Sequence, residues 1–166
     1  MASLVLVVIS IVLMSALAVI SVNYVPADAL VRQQIFKEAQ AGLESIEQGV
    51  GRYLNSNRDL DGNIIYPGDG VNLVSAFSPN YGYLPPDVHK EMTWEVVTGH
   101  MALNMPAVGI CLKPVATSTA MQQATLTELQ TRLPVGATFV STGCQATSNT
   151  AGGTHLTYWL PLSHIN

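Results

Sequence analysis

The chain has 166 residues with 11 acidic and 7 basic side chains, a formal net charge of −4 and only 11% charged residues. So few Lys and Arg, scattered as they are, leave no electrostatic footprint for nucleic acid and exclude that class of partner. Beyond an apolar start and a long helix, roughly 110 residues remain, which suffices for one modest domain.

Residues 4–22 carry no charge. As a helix rising about 1.5 Å per residue they would reach roughly 28 Å, close to the hydrocarbon thickness of a bilayer, so a membrane-spanning helix is predicted over residues 1–25. The alternative is a cleaved secretion signal, which has a charged start, a shorter apolar core and a small-residue cleavage site. Met1, Ala2 and Ser3 carry no side-chain charge, and the apolar run is too long for that reading. Asn23 and Tyr24 suit a bilayer boundary, and Pro26 suits the first turn of a new helical stretch. The first basic residues, Arg32 and Lys37, follow the run, on the side that the positive-inside rule gives to the cytoplasm. Loss of a basic leader peptide would remove that conflict.

Over residues 27–54, Ala27, Val31, Ile35, Ala39, Leu43, Ile46, Val50 and Tyr53 recur every three or four positions, one face of an α-helix. Gly42, Gly49 and Gly51 each weaken such a helix by up to about 1 kcal/mol relative to Ala, so packing must support the stripe. Asn55, Ser56 and Asn57 compete for backbone hydrogen bonds and end it. A loop rich in Asp, Gly and Pro then runs to about Pro86, with a short strand over 64–66 and a short helical or extended piece over 71–77. Strands are predicted over 93–100 and 107–112. Ser118 or Thr119 caps a second helix through Arg132, with Leu126, Leu129 and Leu133 along one side and Pro134 ending it. Further strands fit 138–142 and 155–160, the last alternating Leu156, Tyr158 and Leu160 against Thr157 and Trp159. The predicted class is α+β: a long N-terminal helix, half membrane-spanning and half amphipathic, whose stripe is covered by a small antiparallel sheet of about four strands. The head comprises residues 26–166.

Two cysteines, Cys111 and Cys144, sit in or beside predicted strands. An even count behind an export-type anchor favours one disulfide in an oxidising compartment, with a pair of buried free thiols as the alternative. Closing a loop of about 34 residues is worth roughly 3.5 kcal/mol on the chain-entropy model.

The layout of apolar residues 1–22, amphipathic residues 27–54, polar loop, small sheet and late Cys111 and Cys144 resembles a type IV pilin or a related pseudopilin. The specific part of the likeness is the first third of the chain. The resemblance implies a prepilin peptidase that removes a basic leader and methylates the new terminus, here Met1. It implies subunits that leave the bacterial inner membrane for an extracellular filament cored by bundled N-terminal helices, with heads free to meet a surface receptor. Leu4, Val8, Ile9, Leu13, Leu17 and Ile20 would pack that core, and small Ser10, Ser15, Ala16, Ala18 and Ser21 allow close approach. The disulfide would close a loop on the head's surface. The family usually has Glu at the fifth mature position, where this chain has Val5, and its first proline is Pro26 rather than one nearer the middle of the span. Loss of that glutamate is typical of tip or specialised minor subunits, so a minor or tip pilin is expected over a major one. The rival from another class is a single-anchor periplasmic binding module that does not polymerise.

Asn57, Asp59, Asp61, Gly62 and Asn63, with Ile64 next, resemble the start of a calcium loop, oxygen ligands alternating around a sharp glycine turn. Gly68 stands where a bidentate acid is expected, although Asp69 is adjacent, and the same residues also make an ordinary helix-ending turn. No cofactor is required on this reading, and calcium is the one candidate ion. His89, His100, His155 and His164 lack zinc spacing and read as surface or strand positions. Asp87 and Glu91 flank His89, but Pro85 and Pro86 before them read as the start of a capped helical turn, and no enzyme is expected. Tyr81, Tyr83 and Leu84 among Pro79, Pro85 and Pro86 form either a contact surface or a lid over the sheet edge.

Overall fold

The helical stripe is where sequence and structure meet first. In the computed structural model, which describes residues 9, 11, 12, 14, 27–101 and 104–162, helix α1 runs Ala27–Ser56. The chain divides into two units, Met1–Gln34 and Ile35–Asn166. In the first, the described positions Ile9, Ile11, Val12 and Met14 are helical and between 50% and 74% exposed.

The expected long helix with a membrane-spanning half requires correction. Among the described residues no helix is long and apolar enough to cross a membrane. The long helix that is described, α1, is amphipathic, its exposed faces carrying Arg32, Lys37, Glu44, Glu47 and Arg52. The remainder of the 1–25 segment, including Met1, Leu4, Val5, Val8, Leu13, Leu17 and Ile20, lies outside the described residues.

In the second unit, Ile35, Phe36, Ala39, Leu43, Ile46, Val50 and Leu54 of α1 are all buried. Four antiparallel strands, β1 (Met92–Met101), β2 (Met105–Pro114), β3 (Thr138–Ser141) and β4 (His155–Pro161), form one sheet in the order β1-β2-β4-β3. Alternation puts Trp94 and Val96 of β1, Ile110 and Leu112 of β2, and Leu156 and Leu160 of β4 on one face. That face meets α1: the Trp94 indole lies directly on Gly42, where an added Cβ would stand 2.3 Å from the ring. A second close approach sets Gly49 against Phe77 and Gly82. The glycines that weaken the isolated helix are therefore what lets it dock.

The loop after α1 departs from expectation in detail. The proposed strand at 64–66 is a single bridge between Arg58 and Ile64, and 71–77 resolves into a short helix α2 (Val74–Phe77) preceded by backbone pairing to β1. Gly70 N and Leu73 N donate to Thr98 O and Val96 O, and Thr98 N donates to Val71 O. The buried Thr98 hydroxyl accepts from Val71 N at 2.8 Å and donates to Gly68 O. Residues 70–73 thus occupy the open edge of β1. The proline-aromatic segment serves neither edge: Tyr81 meets Tyr53 of α1 edge-on at 5.6 Å, and Pro86 O accepts from the Trp94 indole at 3.4 Å.

Where a capped helical turn was expected after Pro86, the chain makes a tight turn bridging Val88 to Met92. His89 and Lys90 both take positive φ, 50° and 59°. The Glu38 carboxylate on α1 accepts from His89 N at 2.9 Å and anchors this turn, a tertiary bond that local propensity could not foresee.

Helix α3 (Ala120–Arg132) begins as predicted with Thr119 as cap. Gln122 N donates to the Thr119 hydroxyl at 3.2 Å, while Thr119 N donates to the Gln122 side chain at 2.9 Å, a reciprocal capping box. Leu126 and Leu129 are buried, and Arg132 lies over the Phe36 ring, 4.5 Å from its centroid, joining α3 to α1.

Candidate functional site

On the opposite face of the sheet, Cys111 of β2 is bonded to Cys144 in the loop after β3, with Cα atoms 5.4 Å apart. The disulfide expected from the cysteine count is formed. It draws residues 143–146 across the sheet. There Cys144 O accepts from the Thr157 hydroxyl at 3.1 Å, and Ala146 O accepts from the Trp159 indole at 2.9 Å.

Beneath this loop lies a small second core of Val97, Ala107 and Trp159, flanked by Met101, Phe139 and Cys144. Trp159 lies flat over Gly99 and Gly109, where an added Cβ would approach the indole to 2.7 and 3.0 Å. The strand reading assigned Thr157 and Trp159 to the face opposite Leu156 and Leu160, which is correct; that this face is also buried was missed. The available signal was the pair of strand glycines, Gly99 of β1 and Gly109 of β2, beside a tryptophan of β4.

The outer edge of β3 is also closed. Thr150 N donates to Val140 O, and the Asn149 side-chain oxygen accepts from Val140 N at 2.9 Å and from Gln130 at 2.7 Å.

The Asn57–Asn63 region, read as the start of a calcium loop, forms a turn closed on itself. Asp59 accepts from Asp61 N at 3.0 Å, Asn63 N at 2.8 Å and the Asn63 amide at 3.3 Å. These bonds, chiefly the one from Asn63 N, hold the Asp59 carboxyl below its usual range. The Asn57 amide instead donates to Tyr53 O at the end of α1, and the Arg58 guanidinium donates to Gly62 O at 2.8 Å. Among the described residues no group of three or more His, Cys, Asp or Glu is placed to hold a metal.

A cluster not anticipated from sequence joins Tyr66, Asp69 and His100. The Tyr66 hydroxyl donates to Asp69, His100 Nδ1 lies 2.9 Å from the same carboxylate, and the two rings meet edge-on at 5.5 Å. Burial, then the bond to and charge of Asp69, push the Tyr66 hydroxyl up to about 12. His100 is on β1 and the other two are in the preceding loop, so only the edge pairing of 70–73 brings them together.

The other histidines are separate. His89 sits in the tight turn, and His164 lies outside the described residues. His155 begins β4, its Nδ1 2.9 Å from the Thr154 hydroxyl. Burial holds its imidazole below the usual range, reinforced by Lys113 and opposed by Glu95. The unfolded chain therefore takes up this proton at a higher pH than the fold does. The stability contribution is complete above about pH 6.5 and is lost as pH falls from there toward the lower folded value. The melting temperature of the chain is expected to fall between about pH 7.5 and 5.5, and His155→Asn to flatten that slope. An equal slope in the variant would assign the acid sensitivity elsewhere.

Compared with protein-family models, curated proteins and solved structures, the chain matches none.

Proposed function

We propose that this chain is a structural subunit of a type IV pilus-like or type II secretion-like filament, in a minor or tip position. The observation that carries the reading is an order of parts: the uncharged run 4–22 stands before α1, and α1 gives one continuous face, from Ile35 to Leu54, to an antiparallel sheet. A disulfide-tied loop covering the far side of that sheet supports it further. The absence of a carboxylate anywhere in residues 4–22 favours the minor or tip position. The partners are other subunits of the same kind, met through the N-terminal run, and a prepilin peptidase that prepares it. The assembled product is extracellular.

Ile9→Lys tests the assembly contact. Ile9 is 50% exposed in the single chain and belongs to none of the buried core. In an assembled apolar bundle the variant buries an ammonium, which costs several kcal/mol, where each 1.4 kcal/mol is tenfold in equilibrium. Recovery of the variant in filaments is expected to fall at least about tenfold with an unchanged melting temperature. Recovery equal to the unsubstituted chain would contradict assembly through this segment.

A further inference from the structure

A groove of about 370 Å³ lies between α3 and the loop after the disulfide. Its volume is in the lower part of the range for small-molecule sites, about 300–1,000 Å³. One wall is Gln123, Thr127 and Gln130, at helical spacing on α3; the other is Asn149, Thr150 and the backbone through Gly153; Val140 lies at its base. None of the lining side chains is charged.

Both walls are fixed before any ligand arrives. The Gln130 amide nitrogen donates to Thr138 O at 3.1 Å and to Asn149 at 2.7 Å, so its orientation is set and its oxygen is left as an acceptor. Asn149 is set in turn by Val140 N, leaving its amide nitrogen as a donor. Gly153 is pressed on β3 so closely that a Cβ would stand 2.6 Å from Ser141 N. Gln123 donates to the Ser118 hydroxyl at 3.1 Å, which leaves its oxygen as a second acceptor.

An anion would need a cation or a helix N-terminus here, and an apolar ligand would need apolar walls. The lining residues supply neither. Oriented amides of both polarities, beside hydroxyls, match groups that donate and accept at once. We propose that this groove binds a short neutral oligosaccharide through its ring hydroxyls. The proposal does not rest on the filament reading, since every lining residue lies in the second unit.

The test is saturation-transfer NMR and titration on the full chain in detergent with maltohexaose, cellohexaose and the N-acetylglucosamine hexamer, and with a galacturonic acid oligomer as the charged arm. Thr127→Trp, which gives up only the Thr127 hydroxyl's bond to Gln123 O within α3, and Ala151→Trp fill the groove from opposite walls, and melting temperatures check their folds. At least one neutral oligomer is expected to bind with Kd of about 1 mM or tighter, and both variants to weaken it at least about tenfold. Failure of all three neutral oligomers to bind at about 10 mM, binding that survives both variants, or equal binding of the charged oligomer would overturn the assignment.

Discussion

Replacing Cys111 and Cys144 together by Ala is expected to lower stability by about 3.5 kcal/mol. The bond joins positions 33 apart in sequence, and the chain-entropy model assigns a loop of that length this magnitude. Domains have only about 5–15 kcal/mol in total, so the loss is a large fraction. The structure adds a local consequence. Residues 143–146 roof Trp159, and with the tie gone the indole loses its fixed acceptor, Ala146 O. Denaturant unfolding followed by tryptophan emission should show an earlier midpoint and a red-shifted native spectrum in the double variant. A loss below about 1 kcal/mol would mean that the loop is held by Thr157 and Trp159 without the bond.

The second large effect separates two glycines of one helix. Gly42→Ala places a Cβ 2.3 Å from the Trp94 ring, and Trp94 is itself buried at 4% exposure, so neither side can yield cheaply. Overpacking of this kind costs about 1–3 kcal/mol, more than the helix gains from alanine. Gly51→Ala meets nothing within 4 Å and should stabilise by up to about 1 kcal/mol. Thermal melts of the two variants should therefore move in opposite directions from the parent. A stabilised Gly42→Ala would place Trp94 elsewhere than on α1.

This pair also shows how far the sequence could be read. The apolar period of α1 located its buried face, because 3.6-residue periodicity is local and strong. It could not say that Gly42 and Gly49 are docking points, since that depends on rings of Trp94 and Phe77 arriving from distant positions. The strands were legible to within one or two residues at most ends, and β1 and β2 only proved longer than predicted. Thr119 was legible as a cap because both partners of its box lie within four residues.

The failures share a cause. His89 and Lys90 adopt a left-handed turn because Glu38 holds it, and Tyr66, Asp69 and His100 meet because residues 70–73 pair with a strand edge. Both are long-range bonds with no local pattern. In the Asn57 to Asn63 motif, by contrast, the bonds are local: Asp59 accepts from Asp61 N and Asn63 N, the turn that residue type already offered beside an ion loop. The amphipathic half of the long helix is α1, with the charged exposed faces its period predicts, whereas among the described residues no helix is long and apolar enough to cross a membrane.

The most direct test of filament membership is recovery. Cells expressing an epitope-tagged full chain are sheared, and surface filaments are separated from the cell envelope and probed for the tag. The reading predicts tagged chain in the sheared filament fraction, dependent on the prepilin peptidase. Tagged chain retained wholly in the envelope, with filaments free of it, would contradict the proposed role.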